Sequence, residues 1–462
     1  MSSFEAHIPV LVVGAGACGT VAALAAADAG ADVLLVEQEA VPRGTTSLSQ
    51  GLVCAAGTAA QAAAGIEDDA ARFYGDIMAK VDGRTDAVLA HAIADEAGPC
   101  IDWLIERHDL PYTLDIRFRA AYGHTRPRVH GWPGRGGIDM IQLLHARVEA
   151  RGIDVLTQAR LVDVVATADG RVEAAILERP DGARETIGCG ALVLASGGFG
   201  GNAAMVRQWM PDVAHARFNG HEGNRGDAMR IGAALGAALS DMGAYQGYGM
   251  LTDPQAISVP PGIAVEGGIL VNNQGRRFVD ETADISGMVH DVLRQPDGVA
   301  WVIYDAMIEE RCHYIPETQQ LIAMKAPRIG DDVIGLARAI GVDEGALTAT
   351  LAAVYEAAHR GVADPVGRSW AGARPPVPSF RALKVCGAIY HTQGGIQIDG
   401  EARALREDGT RLPNLFAGGG SARCVSGPSS WGYLPAMGLC SALTFGRLSG
   451  RSAAAVAAVG TR

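Results

Sequence analysis

The sequence predicts an α/β protein, a Rossmann-like dinucleotide-binding domain built from discontinuous segments with an α+β domain inserted. Three observations lead there. The chain opens with a strand running into glycines, Val10-Leu-Val-Val-Gly14-Ala-Gly16-Ala-Cys-Gly19, and a second apolar run, Val33-Leu-Leu-Val36, ends at Glu37. Strand-then-glycine units recur at Ala191-Leu-Val-Leu-Ala-Ser196-Gly197-Gly198 and at Leu415-Phe-Ala-Gly418-Gly419-Gly420. Between them, from 241 to 385, that pattern disappears, so one cofactor domain is assembled from distant pieces around an insert.

Each element has its own reason. Gly14 permits the tight turn out of the first strand, Gly16 lets backbone approach a pyrophosphate, and Gly19 lets helix and strand pack closely. The anion then sits on the N-terminus of a helix from about Cys18 to Ala29, which Gly30 closes. Glu37 supplies the acceptor for a ribose hydroxyl pair. Leu143 to Arg151 reads as a helix and Ile153 to Leu156 as a strand. Leu161–Val165 and Val172–Ile176, joined through Gly170, read as a hairpin appended antiparallel to the parallel sheet. The predicted domains are 1–240 and 386–462 for the cofactor and 241–385 for the insert. Within the insert, Gly268 to Val279 looks like a hairpin, 303–311 and 342–359 look helical, and Gly330-Asp-Asp precedes a capped helix at Val333. A substrate site at the junction is the expectation for such an arrangement.

Composition narrows the partners. The chain has 462 residues, 60 of them glycine, as expected where a long cofactor is held largely by main chain. Its net charge of -12 argues against nucleic acid and anionic membranes, both of which require a basic face. Eight scattered cysteines with no CxxC pair point to reduced, buried thiols and a cytoplasmic protein without a metal site. The first residues lack the basic and apolar regions of a signal peptide, and no apolar run approaches a membrane span.

Taken together and in order, further motifs make the chain resemble the fumarate reductase and succinate dehydrogenase flavoprotein superfamily, which includes ketosteroid dehydrogenases. They are the opening βαβ unit; Gly44-Thr45-Thr46-Ser47 with the Gly51 and Gly57 turns; Ala195-Ser-Gly-Gly-Phe-Gly200; Gly226-Asp227; Asn272-Asn-Gln-Gly-Arg-Arg-Phe278-Val-Asp-Glu281; His391-Thr-Gln-Gly-Gly395; and Thr444-Phe-Gly-Arg447. The resemblance implies FAD and a capping domain that closes over its isoalloxazine ring. It assigns the cofactor to Gly14, Gly16, Gly19, Glu37, Gly44, Thr45, Thr46, Ser47, Gly51, Ser196, Gly197, Gly198, Asp227, Gly418, Gly419 and the helix start at Met437, Gly438 and Leu439. Pro435 suits the first turn of that helix, whose N–H groups would face the flavin pyrimidine. Some relatives attach FAD through a histidine after Gly44; residues 44–60 contain none, so the FAD is expected to be noncovalent.

The departures from the fumarate-reducing pattern are more informative than the matches. Where those enzymes carry the proton-donating arginine, this chain has Ile285, and the glutamate and arginine supporting it are absent before Gly267. Their carboxylate-binding histidine is Tyr248 here and their carboxylate-binding arginine is Tyr433; His391 alone survives. Stripped of that positive charge, the site suits a neutral substrate, as in the ketosteroid dehydrogenase branch, where tyrosine hydroxyls polarise a ketone and move a proton. Tyr433 is then the donor to the carbonyl and Tyr248 the base or proton carrier. His391 touches substrate or flavin, and His130 matches a histidine position of relatives. Tyr112, Tyr122, His124 and Arg128 belong to a polar segment ending in a glycine-rich loop, 131–137, suited to cover the cofactor. Arg276, Arg277 and Glu281 read as scaffold of the cap, and apolar residues near 431–439 as packing or pocket wall.

The expected activity is therefore introduction or reduction of a carbon–carbon double bond beside the carbonyl of a neutral, cyclic ketone or enone. One alternative keeps an unsaturated carboxylate as substrate, with Arg128 or another arginine replacing those lost; another is a flavin-binding protein without turnover. No second Rossmann unit offers a site for NADPH, so electrons are expected to pass to or from a diffusible acceptor or a partner protein.

Overall fold

The computed structural model describes residues 4, 6–117, 120–132, 134 and 136–460, and the chain divides into two compact units. The first comprises Met1–Ala214, Gly220–Tyr245 and His391–Arg462; the second comprises His215–Asn219 and Gln246–Tyr390.

The first unit is a mixed α/β domain. Its sheet runs in the order Arg403–Leu405, Arg411–Ala417, Arg184–Leu194, Ala6–Val13, Val33–Val36, Asp154–Leu156, and the last five are mutually parallel. Fully buried Leu11, Leu35, Leu192 and Phe416 give these strands the continuous apolar character of a sheet covered on both faces. The register sets up the site. Val13 pairs with both Val36 and Leu194, and Leu194 pairs with Ala417. The residues that follow, Gly14, Glu37, Ala195 and Gly418, thus lie along one carboxyl edge, where open α/β sheets take ligands. Arg160–Ala166 and Val172–Glu178 form the expected antiparallel hairpin, joined antiparallel to Arg184–Leu194.

Two helices back this edge. Ala17–Asp28 is alanine-rich and buried over most of its length, and it packs on the C-terminal helix Met437–Gly460. The contact is backbone-close: a Cβ on Gly446 would fall 2.6 Å from the Cys18 carbonyl oxygen, and one on Gly450 2.1 Å from that of Ala22. A small sheet of Val53–Cys54, Val129–Gly131 and Thr113–Leu114 completes the unit. Pro133 and Arg135 of the glycine-rich loop lie outside the described residues.

The second unit is α+β. Its sheet runs Arg217–Phe218, Phe380–Thr392, Val299–Asp305, Ile269–Val271, with Tyr245–Thr252 and Arg328–Gly330 also paired to Phe380–Thr392. Leu336, Leu347, Leu351 and Val354 from the helices Val333–Ile340 and Glu344–Arg360 pack on Ile303 and Phe380. Asp332 caps the first of these helices by accepting from the Gly335 N–H at 2.7 Å. Two local expectations are corrected. Residues 303–305 finish a strand, and the helix starts only at Ala306, capped by Asp305. Ile269–Val271 pairs with Val299–Asp305, leaving a single bridge, Val271 to Arg277, within the supposed hairpin. The unit also includes the short strand at 217–218, which sequence boundaries of 241–385 leave out.

Arg277 and Glu281 do act as scaffold there. Arg277 bonds Glu281 at 2.8 Å and Asp364 at 2.7 Å, while Arg368 bonds Glu281 at 2.9 Å and stacks 4.3 Å from the Trp370 ring centre. Each buried charge has an opposite partner, the condition under which such groups are tolerated.

Candidate active site

At the carboxyl edge of the first unit, backbone is cleared for a phosphate. Gly14 has φ +102°, and a Cβ there would lie 2.4 Å from the Ala195 carbonyl oxygen; one on Gly19 would lie 1.7 Å from that of Gly14. Both positions are therefore closed to a side chain, while at Gly16 the nearest neighbour of a Cβ is Thr46 Oγ1 at 3.4 Å. The Glu37 carboxylate accepts from the Ala15 N–H at 2.9 Å and the Glu39 N–H at 3.0 Å. A carboxylate has room for about four such bonds, so lone pairs remain for a diol. Thr46 Oγ1 accepts from the Ala17 N–H, Thr45 Oγ1 from the Asn224 side chain, and Ser47 Oγ donates to the Gly44 carbonyl. Ser196, Gly197 and Gly198 follow the strand Arg184–Leu194, Gly418 and Gly419 follow Arg411–Ala417, and Gly51 lies just before Val53–Cys54 with φ +67°. A cleft of about 630 Å³ lined by Gln38, Glu39, Gln158, His221 and Glu222 begins directly after Glu37 in the chain. These features fit an adenine dinucleotide. Asp227 differs: its carboxylate holds Arg160 through two bonds of 3.0 Å, which ties helix Asp227–Ala234 to the hairpin.

A second set of groups meets at the start of the C-terminal helix. That helix begins at Met437, because Ala436 is left-handed with φ +67°; Pro435 stands outside it rather than in its first turn. The Gly438 N–H donates to Tyr433 Oη at 3.2 Å. The His391 ring lies edge-on to Tyr433, with centroids 5.8 Å apart, and a Cβ on Gly438 would fall 2.8 Å from His391 Nε2. Three groups thus converge: a phenol, an imidazole Nε2 and a glycine that leaves room between them. Burial raises the Tyr433 phenol above its ordinary range and pushes the His391 ring down to about 4, so both are neutral at pH 7. Behind them, Gln393 Nε2 lies 2.9 Å from His391 Nδ1, and Ser426 Oγ 3.0 Å from Gln393 Oε1. His124 Nε2, 2.9 Å from the Pro435 carbonyl, secures the segment leading to the helix. The sequence reading missed Gln393, Ser426 and Asn224; only the first carried a signal, as the residue two past His391.

Not every expected residue joins this group. His130 is fully buried in the small sheet, with Nδ1 3.0 Å from the Arg128 carbonyl and Nε2 2.9 Å from Thr58 Oγ1. Both ring nitrogens are spent on scaffold, which corrects its placement in the site. Arg128 is likewise unavailable to a carboxylate substrate: fully buried, it bonds Asp68 through Nε and Nη2 at 2.9 Å and Asp76 through Nη1 at 2.6 Å. Tyr248 belongs to the second unit, where its hydroxyl donates to the Val259 carbonyl and its ring lies 5.3 Å from that of Tyr390. Ile285 is buried in the same unit.

The parallel sheet, the glycine edge and the Glu37 carboxylate define a dinucleotide-binding oxidoreductase fold. Residues 9–439 match the FAD binding domain family, and the chain belongs to it, within the fumarate reductase and succinate dehydrogenase flavoprotein superfamily. Its cofactor is FAD and it is a flavin-dependent oxidoreductase. It is 27% identical over 456 residues to a fumarate reductase (cytochrome) of Shewanella frigidimarina, covering 97% of this chain and 77% of that protein. It superimposes on the open conformation of a flavocytochrome c3 fumarate reductase with a TM-score of 0.81 at 27% identity, over 99% of this chain and 79% of the other. The fold is also shared with a 3-ketosteroid-Δ4-(5α)-dehydrogenase from Rhodococcus jostii RHA1 bound to 4-androstene-3,17-dione, with a TM-score of 0.77 at 24% identity and 98% of each chain covered. Among the described residues no helix is long and apolar enough to cross a membrane, and none of the His, Cys, Asp and Glu side chains cluster as a metal site.

Proposed function

We propose that the enzyme introduces or reduces a carbon–carbon double bond adjacent to the carbonyl of a neutral, cyclic ketone, with FAD held noncovalently. The observation that carries this reading is the neutrality of the converging groups. A carboxylate substrate calls for charge-assisted, preferably bidentate, cationic partners, whereas a ketone oxygen needs neutral donors that strengthen as negative charge develops on it. Tyr433 fits that role. Its oxygen accepts from the Gly438 N–H, and its own proton has no acceptor among the described residues, so it remains to be given to a substrate oxygen. Its raised pKa makes it a donor and not a base. Bound FAD supplies hydride transfer at its N5. Tyr248 remains our candidate for the proton carrier, a role that requires it to exchange the bond to the Val259 carbonyl for one to substrate. The absence of histidine from 44–60 supports noncovalent FAD, and eight unbridged thiols support a cytoplasmic, reducing setting.

The test is an anaerobic screen of cyclic ketones and enones for flavin bleaching or reoxidation, with fumarate alongside. Turnover of an enone or ketone supports the reading; turnover of fumarate alone overturns it in favour of the carboxylate alternative. Tyr433→Phe should lower turnover on any hit by about 10²-fold. An unchanged rate removes Tyr433 from the reaction.

A further inference from the structure

Gln393 uses every polar group it has. Its N–H donates to the Ala244 carbonyl and its carbonyl accepts from the Cys424 N–H, both at 2.8 Å. In the side chain, Oε1 accepts from Ser426 Oγ at 3.0 Å and Nε2 reaches His391 Nδ1 at 2.9 Å. Gln393 and Ser426 are both buried, so the amide is held at its two ends and along its backbone. The Thr392 carbonyl also lies near Nδ1, but at 3.4 Å, a poor hydrogen bond beside one of 2.9 Å. An amide NH₂ can only donate, and a neutral imidazole accepts at one nitrogen and donates at the other. The nitrogen left to donate is Nε2, which faces the space beside Gly438 and Tyr433 Oη.

We propose that Gln393 is a positioning residue that fixes the tautomer of His391, through a relay from Ser426 to Gln393 to Nδ1, so that Nε2–H is a second hydrogen-bond donor to the substrate carbonyl. This rests on the ketone reading above for its acceptor, but the tautomer itself does not. The ring contributes a proton to share and none to transfer: it stays neutral, and the substrate oxygen accepts from Tyr433 and His391 together. Exchanging the amide for a carboxylate reverses the chain. Gln393→Glu presents an acceptor to Nδ1, moves the proton there, and leaves a bare lone pair on Nε2 facing the carbonyl oxygen.

The experiment is ¹⁵N spectroscopy of the FAD-loaded protein with labelled histidines, with His391 assigned by difference against His391→Gln. In the unsubstituted enzyme the expected result is a protonated Nε2 and an unprotonated Nδ1 from pH 6 to 8. Gln393→Glu is expected to protonate Nδ1, to bring the titration of this ring up toward neutrality, and to lower kcat on a ketone hit by about 10-fold or more with FAD still bound. A proton on Nδ1 in the unsubstituted enzyme overturns the proposal, whatever the substrate and whether or not the variant folds. A protonated Nε2 without turnover of any ketone upholds the tautomer and refutes the ketone reading instead, so the two failures are distinguishable.

Discussion

Gly438→Ala is the sharpest probe of the converging site, because the backbone there accepts alanine and the surroundings do not. Gly438 lies in the first turn of a helix without a left-handed φ, and alanine in a helix is normally favoured over glycine by about 1 kcal/mol. The new methyl carbon would sit 2.8 Å from His391 Nε2, 3.1 Å from its Cε1 and 3.3 Å from Tyr433 Oη. Ordinary contacts need about 3.5 Å or more, so the imidazole must retreat by roughly 0.7 Å along a direction opposed by its bond to Gln393. A displacement of about 1 Å in a catalytic arrangement costs on the order of 10²-fold, equivalent to about 2.7 kcal/mol of transition-state stabilisation. The expected outcome is a thermal midpoint close to that of the unsubstituted protein and kcat/KM for a ketone hit, expressed per bound FAD, reduced about 100-fold in anaerobic stopped-flow bleaching. Undiminished kcat/KM with the methyl in place would refute the convergence of substrate on this spot.

Three further outcomes follow from the same geometry. Arg128→Met leaves Asp68 and Asp76 facing each other without their buried cation, and should destabilise the protein by about 3–5 kcal/mol in guanidinium unfolding; a loss below 1 kcal/mol would mean that water reaches the pair. His124 and His130 are held neutral, each ring pushed down to about 4 by burial, whereas in the unfolded chain they titrate near 6.5. Between those values the unfolded state binds more protons, so stability rises with pH in this window and falls as pH drops from about 6.5 toward 4; equal denaturation midpoints at pH 7, 6 and 5 would contradict this. Glu37→Ala removes the acceptor of two backbone N–H groups together with the carboxylate offered to the cofactor, and should weaken FAD binding by at least about 10-fold in a fluorescence titration, against no change if the carboxylate serves only the turn.

The parts legible from sequence are those where local chemistry is decisive. Val33–Val36 and the glycines after Val13, Leu194 and Ala417 could be read because a buried parallel strand is a short apolar run and the turn beyond it tolerates little but glycine. The hairpin around Gly170 was equally plain from alternation and a turn signal. What escaped depends on partners distant in the chain. His130 and Arg128 carry the same side chains whether they face a ligand or a scaffold, and only the positions of Thr58, Asp68 and Asp76 decide. Ser426 reaches Gln393 across 33 residues, a pairing with no local signature. Val299–Asp305 was half hidden because a buried strand and the helix that follows it make one apolar run, separable only at the Asp305 cap. Pro435 reads as part of the first turn because it is a familiar helix opener, while the left-handed Ala436 that sets it outside the helix has no residue-type signal at all.

The close seam between Ala17–Asp28 and Met437–Gly460 joins two helices from distant parts of the sequence by backbone contact, with Gly446 against the Cys18 carbonyl and Gly450 against that of Ala22. A side chain at either glycine would push apart the helix that follows the phosphate turn and the helix that carries Gly438. The spacing between the pyrophosphate end and the Tyr433–His391 end of the first unit is therefore set by two residues that touch neither.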